Sequence, residues 1–231
     1  MAAAARILEL ARRGPITARD LRRLGIGREW LFRLCERGEL QRIARGVYRA
    51  QSGNETELAS VVEVAKRAPK AVMCLLTALQ IHGLTTELPH EVWIQIHNRA
   101  RRPRIGHAKV RVVRASGKAA SHGIERRSFE NTAVLVTSPA KTVADCFRYR
   151  SHVGLETAIA ALRDYLRRVR PAKRSGAGSG IGRGAYGDAL PSGEGFGDGG
   201  PRRVHTIDAL IAAARADGVY SVLRPYLEAL A

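Results

Sequence analysis

The chain has 231 residues, 45% hydrophobic and 26% charged, enough for two modest domains with real cores and too apolar for a wholly disordered tail. A net charge of +18 makes contact with a polyanion a physical expectation, and the longest apolar run, residues 71–79, falls far short of a membrane span of ~20 residues. Cys35, Cys74 and Cys146 form no Cys-x-x-Cys pair, which argues against a zinc site or a disulfide framework and favours a reducing cytoplasm.

Residues 1–10 are alanine-rich but interrupted by Arg6 and Glu9, so they lack the apolar core of a signal peptide and read as a first amphipathic helix. Thr17, behind Gly14-Pro15, is a good N-cap for a short helix carrying Leu21 and Leu24. Gly25-Ile26-Gly27 then supplies a turn. A second helix from near Arg28 repeats Leu31, Leu34 and Cys35 on one face and carries Arg28, Glu29, Phe32, Arg33, Glu36 and Arg37 on the other. After Gly38, residues 40–43 and 47–49 form two short runs joined by Ala44-Arg45-Gly46, a hairpin decorated by Arg42, Arg45 and Arg49. Together these elements spell a winged helix-turn-helix over residues 1–50, with the second helix placed to enter a major groove. Turn-rich residues 51–54 mark a boundary, and a second domain is expected over 55–231.

In that second domain helices are expected over 57–67 and 71–82, split by Pro69 and stopped by Gly83. Residues 91–97, 109–114 and 124–136, the last with Asn131 as a turn, read as three or four strands. Ser138-Pro139 opens an amphipathic helix burying Val143, Cys146 and Phe147. Another helix follows over 154–168. Residues 171–203 are dominated by glycine, serine and proline, a composition expected to stay mobile. Thr206 caps one more helix to about residue 216, and 219–230 forms the last, with Pro225 starting its final part or kinking it. The fold class expected is therefore α+β, a winged helix followed by a mixed α/β domain with a small sheet and several helices.

Charge is concentrated in two places. Residues 1–50 hold 12 basic and 5 acidic groups, residues 97–127 hold 10 and 1, and residues 51–96 between them are slightly acidic. Arginine's fork matches guanine O6 and N7, so Arg28 and Arg33 are the candidates for base contact, with Phe32 either touching a thymine methyl or packing. Arg42, Arg45 and Arg49 are the candidates for phosphate or minor-groove contact and Arg19, Arg22 and Arg23 for phosphate positioning, with Thr17 and Arg37 counted in the same DNA-binding surface. A second candidate patch is Arg99, Arg101, Arg102, Arg104, Lys109 and Arg111, with Arg114 nearby; a solvated loop is the plainer reading, given Pro103 and Gly106.

Other residues suggest no chemistry. His82, His90, His97, His107 and His122 show no helix-spaced pair, so no metal site and no cofactor are expected. Ser138 lacks a histidine partner or glycine elbow and reads as a cap. Lys141 and Asp145 are expected to be a surface i, i+4 pair of little weight. The Gly-x-Gly-x-x-Gly at Gly182, Gly184 and Gly187 follows no strand and opens no helix. Without a two-metal carboxylate group, the chain is not expected to be an enzyme.

Several segments resemble the AbiEi family of antitoxins from type IV toxin-antitoxin, abortive-infection systems. They are Gly38-Glu39-Leu40 with Arg45-Gly46-Val47-Tyr48, then Ala78-Leu79-Gln80-Ile81-His82-Gly83-Leu84-Thr85-Thr86 with Leu88-Pro89-His90-Glu91-Val92-Trp93-Ile94. Ser138-Pro139-Ala140-Lys141-Thr142-Val143-Ala144-Asp145-Cys146-Phe147 and Arg224-Pro225-Tyr226-Leu227 complete the set. The resemblance implies a repressor that binds inverted repeats in double-stranded DNA upstream of its own operon. It also implies a C-terminal domain that opposes a nucleotidyltransferase-type toxin without requiring a stable complex; the cysteines, the absent signal-peptide core and the short apolar run lead to the expectation of a soluble cytoplasmic protein without a membrane partner. The departure from the family pattern is residues 171–203, where a shorter connection is expected. The alternatives are a general winged-helix regulator whose C-terminal domain binds a ligand or partner, and a nuclease-like enzyme with a DNA-binding guide.

Overall fold

The computed structural model describes residues 2–51, 58–105, 108–169 and 205–230. It begins with α1 (Ala2–Arg12), β1 (Ile16–Thr17), α2 (Ala18–Arg23), α3 (Glu29–Glu36), β2 (Leu40–Ala44) and β3 (Val47–Ala50). The strands form an antiparallel sheet in the order β1-β3-β2. Ile7, Ile16, Leu21, Leu31, Leu34 and Leu40 close over one small core, each burial worth roughly 1.5–3 kcal/mol. Thr17 caps α2, its amide and hydroxyl both donating to Asp20 Oδ2, at 2.9 and 2.8 Å. Gly25, at φ +70°, turns the chain between α2 and α3, and Gly46, at φ +78°, turns the wing hairpin. The strand β1 was not expected; two residues are too few to leave a periodic signal.

The larger unit runs α4 (Ala59–Arg67), β4 (Val72–Met73), α5 (Leu75–His82), β5 (Val92–His97), β6 (Val110–Ala115), α6 (Lys118–Ser121), β7 (Ile124–Phe129) and β8 (Thr132–Thr137). Helices α7 (Pro139–Arg148), α8 (Arg150–Val153), α9 (Leu155–Val169), α10 (Ile207–Ala216) and α11 (Tyr220–Leu230) follow. Its sheet has the order β6-β5-β4-β8-β7, with β4 antiparallel to β5 and parallel to β8, and β5 parallel to β6. Among the described residues this sheet has five strands where three or four were expected. The additional one, β4, lies in residues 71–82, expected to be helix throughout, because a short, fully buried strand abutting an apolar helix shares its lack of alternation.

Val92, Ile94 and Ile96, with Met73, Val134 and Val136, share a cluster with Val61, Val64 and Ala65 of α4. Trp93, on the opposite face of β5, joins a second cluster drawn from α5, α7, α9, α10 and α11. That is why Val92 to Ile96 are buried without alternation. Residues Glu130 and Asn131 link β7 to β8 with φ of 44° and 55°, the two left-handed positions of a tight hairpin. Ser138 accepts from the Lys141 amide at 3.3 Å with Pro139 in the first turn, and Thr206 accepts from the Ala209 amide at 3.1 Å. Pro225 sits inside α11. The glycine-rich stretch 171–203 with its Gly-x-Gly-x-x-Gly, and Gly106 and His107, lie outside the described residues.

Candidate nucleic-acid interface

Leu31 and Leu34 anchor α3 in the small core, and this turns its other face outward. Arg28, Glu29, Phe32, Arg33, Glu36 and Arg37 are all exposed there. Phe32 is 67% exposed, so the packing alternative for it is removed. The Arg33 guanidinium lies over the Trp30 ring, 5.5 Å from its centroid, which limits its freedom without neutralising it. Arg19, Arg22 and Arg23 are exposed on α2, and Arg42 and Arg45 on the hairpin. None of these arginines has an ion-pair partner among the described residues. An electrostatic field left open in this way favours a polyanion.

Two candidates do not fit that surface. Arg49 is only 5% exposed and its Nη2 meets Glu130 Oε2 at 2.8 Å, so its charge is spent on the tip of the β7–β8 hairpin rather than on the wing's outer face. Thr17 is committed to Asp20, whose Oδ2 also receives Lys66 Nζ of α4 at 3.0 Å. Burial raises the Asp20 pKa, but the Lys66 charge and hydrogen bond and the two Thr17 hydrogen bonds outweigh it and hold the carboxyl below its ordinary value. Arg49 directly, and Thr17 through its partner Asp20, are thus tied into contacts that join the winged helix to the larger unit, a role that spacing in the chain cannot reveal.

The second patch lies on the loop after β5 and on β6. Arg99, Arg101, Arg104 and Lys109 are exposed and without ion pairs among the described residues. Arg102 folds back to donate to the Val110 carbonyl at 3.1 Å. Arg111 stacks on Trp93, 4.8 Å from the ring centroid, and lies 4.0 Å from Glu91 Oε2. Arg114 Nη1 ties the base of the loop by donating to the carbonyls of His97 and Ala100 at 3.4 and 2.9 Å. The two basic stretches, separate in the chain, meet at Arg67, missed by the sequence reading: its Nη1 donates to the Arg45 carbonyl at 2.7 Å and its Nη2 to the Arg104 carbonyl at 3.3 Å.

The expected surface pair Lys141–Asp145 is instead fully buried. Lys141 is 0% exposed, 3.1 Å from Asp145 Oδ1 and 2.8 Å from Asp217 Oδ1 at the end of α10, with Arg148 4.0 Å from Asp217. Burial disfavours the Lys141 ammonium, but the two carboxylates prevail and raise its pKa. Burial pushes the Asp145 carboxyl up to about 7, partly offset by Lys141 and reinforced by Asp217. The misreading arose because α7 is buried on all sides from Pro139 to Phe147, so the i, i+4 spacing fell on an inward face. Burial likewise raises the Cys74 and Cys146 thiols, keeping them protonated and unreactive. His82 is buried, donating from Nε2 to the Thr137 carbonyl at 2.6 Å and accepting from Arg127 at Nδ1, which makes it structural. Among the described residues no three His, Cys, Asp or Glu are grouped to hold a metal ion, and no helix is long and apolar enough to cross a membrane.

An outward, cationic second helix with a basic wing, joined to a separately cored mixed α/β unit, defines a two-domain winged-helix protein. The model of a family described as transcriptional regulator, AbiEi antitoxin matches residues 5–51, and that of the AbiEi antitoxin C-terminal domain matches residues 71–182. The chain belongs to the AbiEi antitoxin family, and its role is that of an antitoxin and transcriptional regulator. No curated protein matches the chain.

Proposed function

We propose that this protein is a cytoplasmic repressor that binds inverted repeats in double-stranded DNA upstream of its own operon, and an antitoxin against a nucleotidyltransferase-type toxin. The observation that carries the reading is the outward face of α3, where Arg28, Arg33, Arg37 and Phe32 project and the three arginines have no carboxylate partner among the described residues. Arg28 and Arg33 read bases, Phe32 meets a thymine methyl, and Arg19, Arg22, Arg23, Arg37, Arg42 and Arg45 hold phosphates. The exposed part of the second patch, Arg99, Arg101, Arg104 and Lys109, extends phosphate contact beyond the wing. Antitoxicity rests on the larger unit, whose family match is to the antitoxin C-terminal domain.

A gel-shift titration of the full chain on its upstream DNA tests the first half. The expected result is preference over a scrambled duplex, with Arg33→Ala losing about 10- to 100-fold on the operator from a contact worth about 1–3 kcal/mol. Equal binding to both duplexes would overturn it. Co-expression with the neighbouring toxin gene tests the second half: Phe32→Ala with Arg33→Ala is expected to abolish repression while still rescuing growth. Loss of rescue in step with repression would overturn the division of labour.

A further inference from the structure

We propose that Arg67 is a positioning residue that locks the wing turn to the 99–104 loop, so that the two basic stretches present one cationic strip of fixed geometry to duplex DNA. The proposal rests on the DNA-binding role inferred above. A guanidinium is a planar fork, and here its two terminal nitrogens are divided between two backbone segments. Nη1 holds the Arg45 carbonyl at 2.7 Å and Nη2 the Arg104 carbonyl at 3.3 Å. Acceptors sharing one guanidinium lie within about 8 Å of each other, although they are 59 residues apart in the chain.

The anchor is firm. Arg67 ends α4, and Val61, Val64 and Ala65 of that helix are packed against the larger sheet. The loop it grips is held from its other side by Arg114, whose Nη1 reaches the His97 and Ala100 carbonyls. Both acceptors of Arg67 are neutral carbonyls, so among the described residues its positive charge is spent on no carboxylate and adds to the field of the strip. Its Nε is buried with no acceptor among the described residues, so the two terminal nitrogens carry the contact. Locking matters because two tethered phosphate-binding sets reinforce each other only when their separation matches the strand they follow.

The test uses the full chain and a random-sequence 30-base-pair duplex, on which binding is set by the backbone alone, with the salt slope reporting the number of phosphates neutralised. Arg67→Lys keeps the charge and loses the fork. Wild type is expected to bind with a steep slope, Arg67→Lys to lose about two contacts' worth of slope, and Arg101→Ala/Arg104→Ala to lose a similar amount. Combining the three substitutions is expected to add little further. Were Arg67 merely a phosphate contact, Arg67→Lys would retain the slope, which overturns the proposal. Hydrogen exchange at residues 45–46 and 101–105 gives a reading independent of DNA. It is expected to rise in both segments in Arg67→Lys, and unchanged protection in either overturns the lock. If wild type shows no salt-dependent binding, the DNA-binding role itself fails and takes this inference with it; normal wild-type binding with an unaltered Arg67→Lys slope sinks the inference alone.

Discussion

Taking a guanidinium out of water is costly unless a carboxylate meets it, and the side chains of Arg49 and Glu130 are 6% and 13% exposed where they touch. Glu130 reaches that place from a left-handed backbone position, φ 44°, which L-residues adopt only when the surroundings hold them there. The pair therefore trades turn strain for a contact between the hairpin tip and the wing strand. Its consequence separates a structural arginine from a DNA-binding one. If Arg49 served phosphate, Glu130→Gln would free it and tighten binding. As a buried pair, Glu130→Gln leaves Arg49 uncompensated and is expected to cost about 3–5 kcal/mol in urea unfolding, with no gain in DNA affinity. Arg49→Met with Glu130→Gln together should cost less than the sum of the two single changes.

Among the elements, most that left a periodic pattern, a β-branched run or a cap were legible, whereas the two-residue strands and the direction in which a fully buried helix turns its charges were not. Helix α3 showed its leucine stripe and its polar face, and Ser138-Pro139 and Thr206 announced α7 and α10 because a cap is a local interaction. Strand β4 and the inward pairing on α7 left no such trace. In α7 the charged residues point at α10, a contact between positions 76 residues apart, and no local rule anticipates it. The same distance between cause and sequence hid Arg67, whose partners lie in two other segments. At this junction Asp145 Oδ2 and Asp217 Oδ2 are buried with no hydrogen-bond donor, and a proton on Asp145 lets one carboxyl donate to the other. Asp145 has a folded pKa of about 7 against an ordinary 3.8, so the folded state binds that proton more tightly than the unfolded chain. Its contribution is full below about 3.8 and is lost as pH rises through about 7. Relative to wild type, Asp145→Asn should therefore gain stability between pH 5 and pH 8, by about 1–3 kcal/mol in urea midpoints and m-values. A difference between the two proteins that stays constant across that range would show that Asp145 is ionised throughout.

At the scale of the whole molecule, the winged helix has its own core and yet is bound to the larger unit by more than a linker. Lys66 meets Asp20, Arg49 meets Glu130, Arg67 meets the Arg45 carbonyl, and Gly14 lies so close to the hairpin that a Cβ there would fall 1.9 Å from the Glu130 carbonyl oxygen. Two cores coupled in this way should melt as one cooperative unit as long as the coupling exceeds the stability difference between them. Gly14→Val, which cannot be accommodated without moving backbone, is expected to split the calorimetric transition into two at neutral pH. Acid should do the same to wild type. The Asp20 carboxyl is depressed below 3.8 in the folded protein, so its contribution is present above that value and is lost as pH falls through the folded one. A single transition at pH 6 should thus separate into two near pH 3. Lys66→Met, which removes the charge holding Asp20 but leaves Thr17 on the helix cap, should bring the splitting up toward neutral pH. One undivided transition in Lys66→Met at pH 6 and in wild type at pH 3 would mean that apolar contact alone docks the winged helix, and that the ion pairs only decorate the seam.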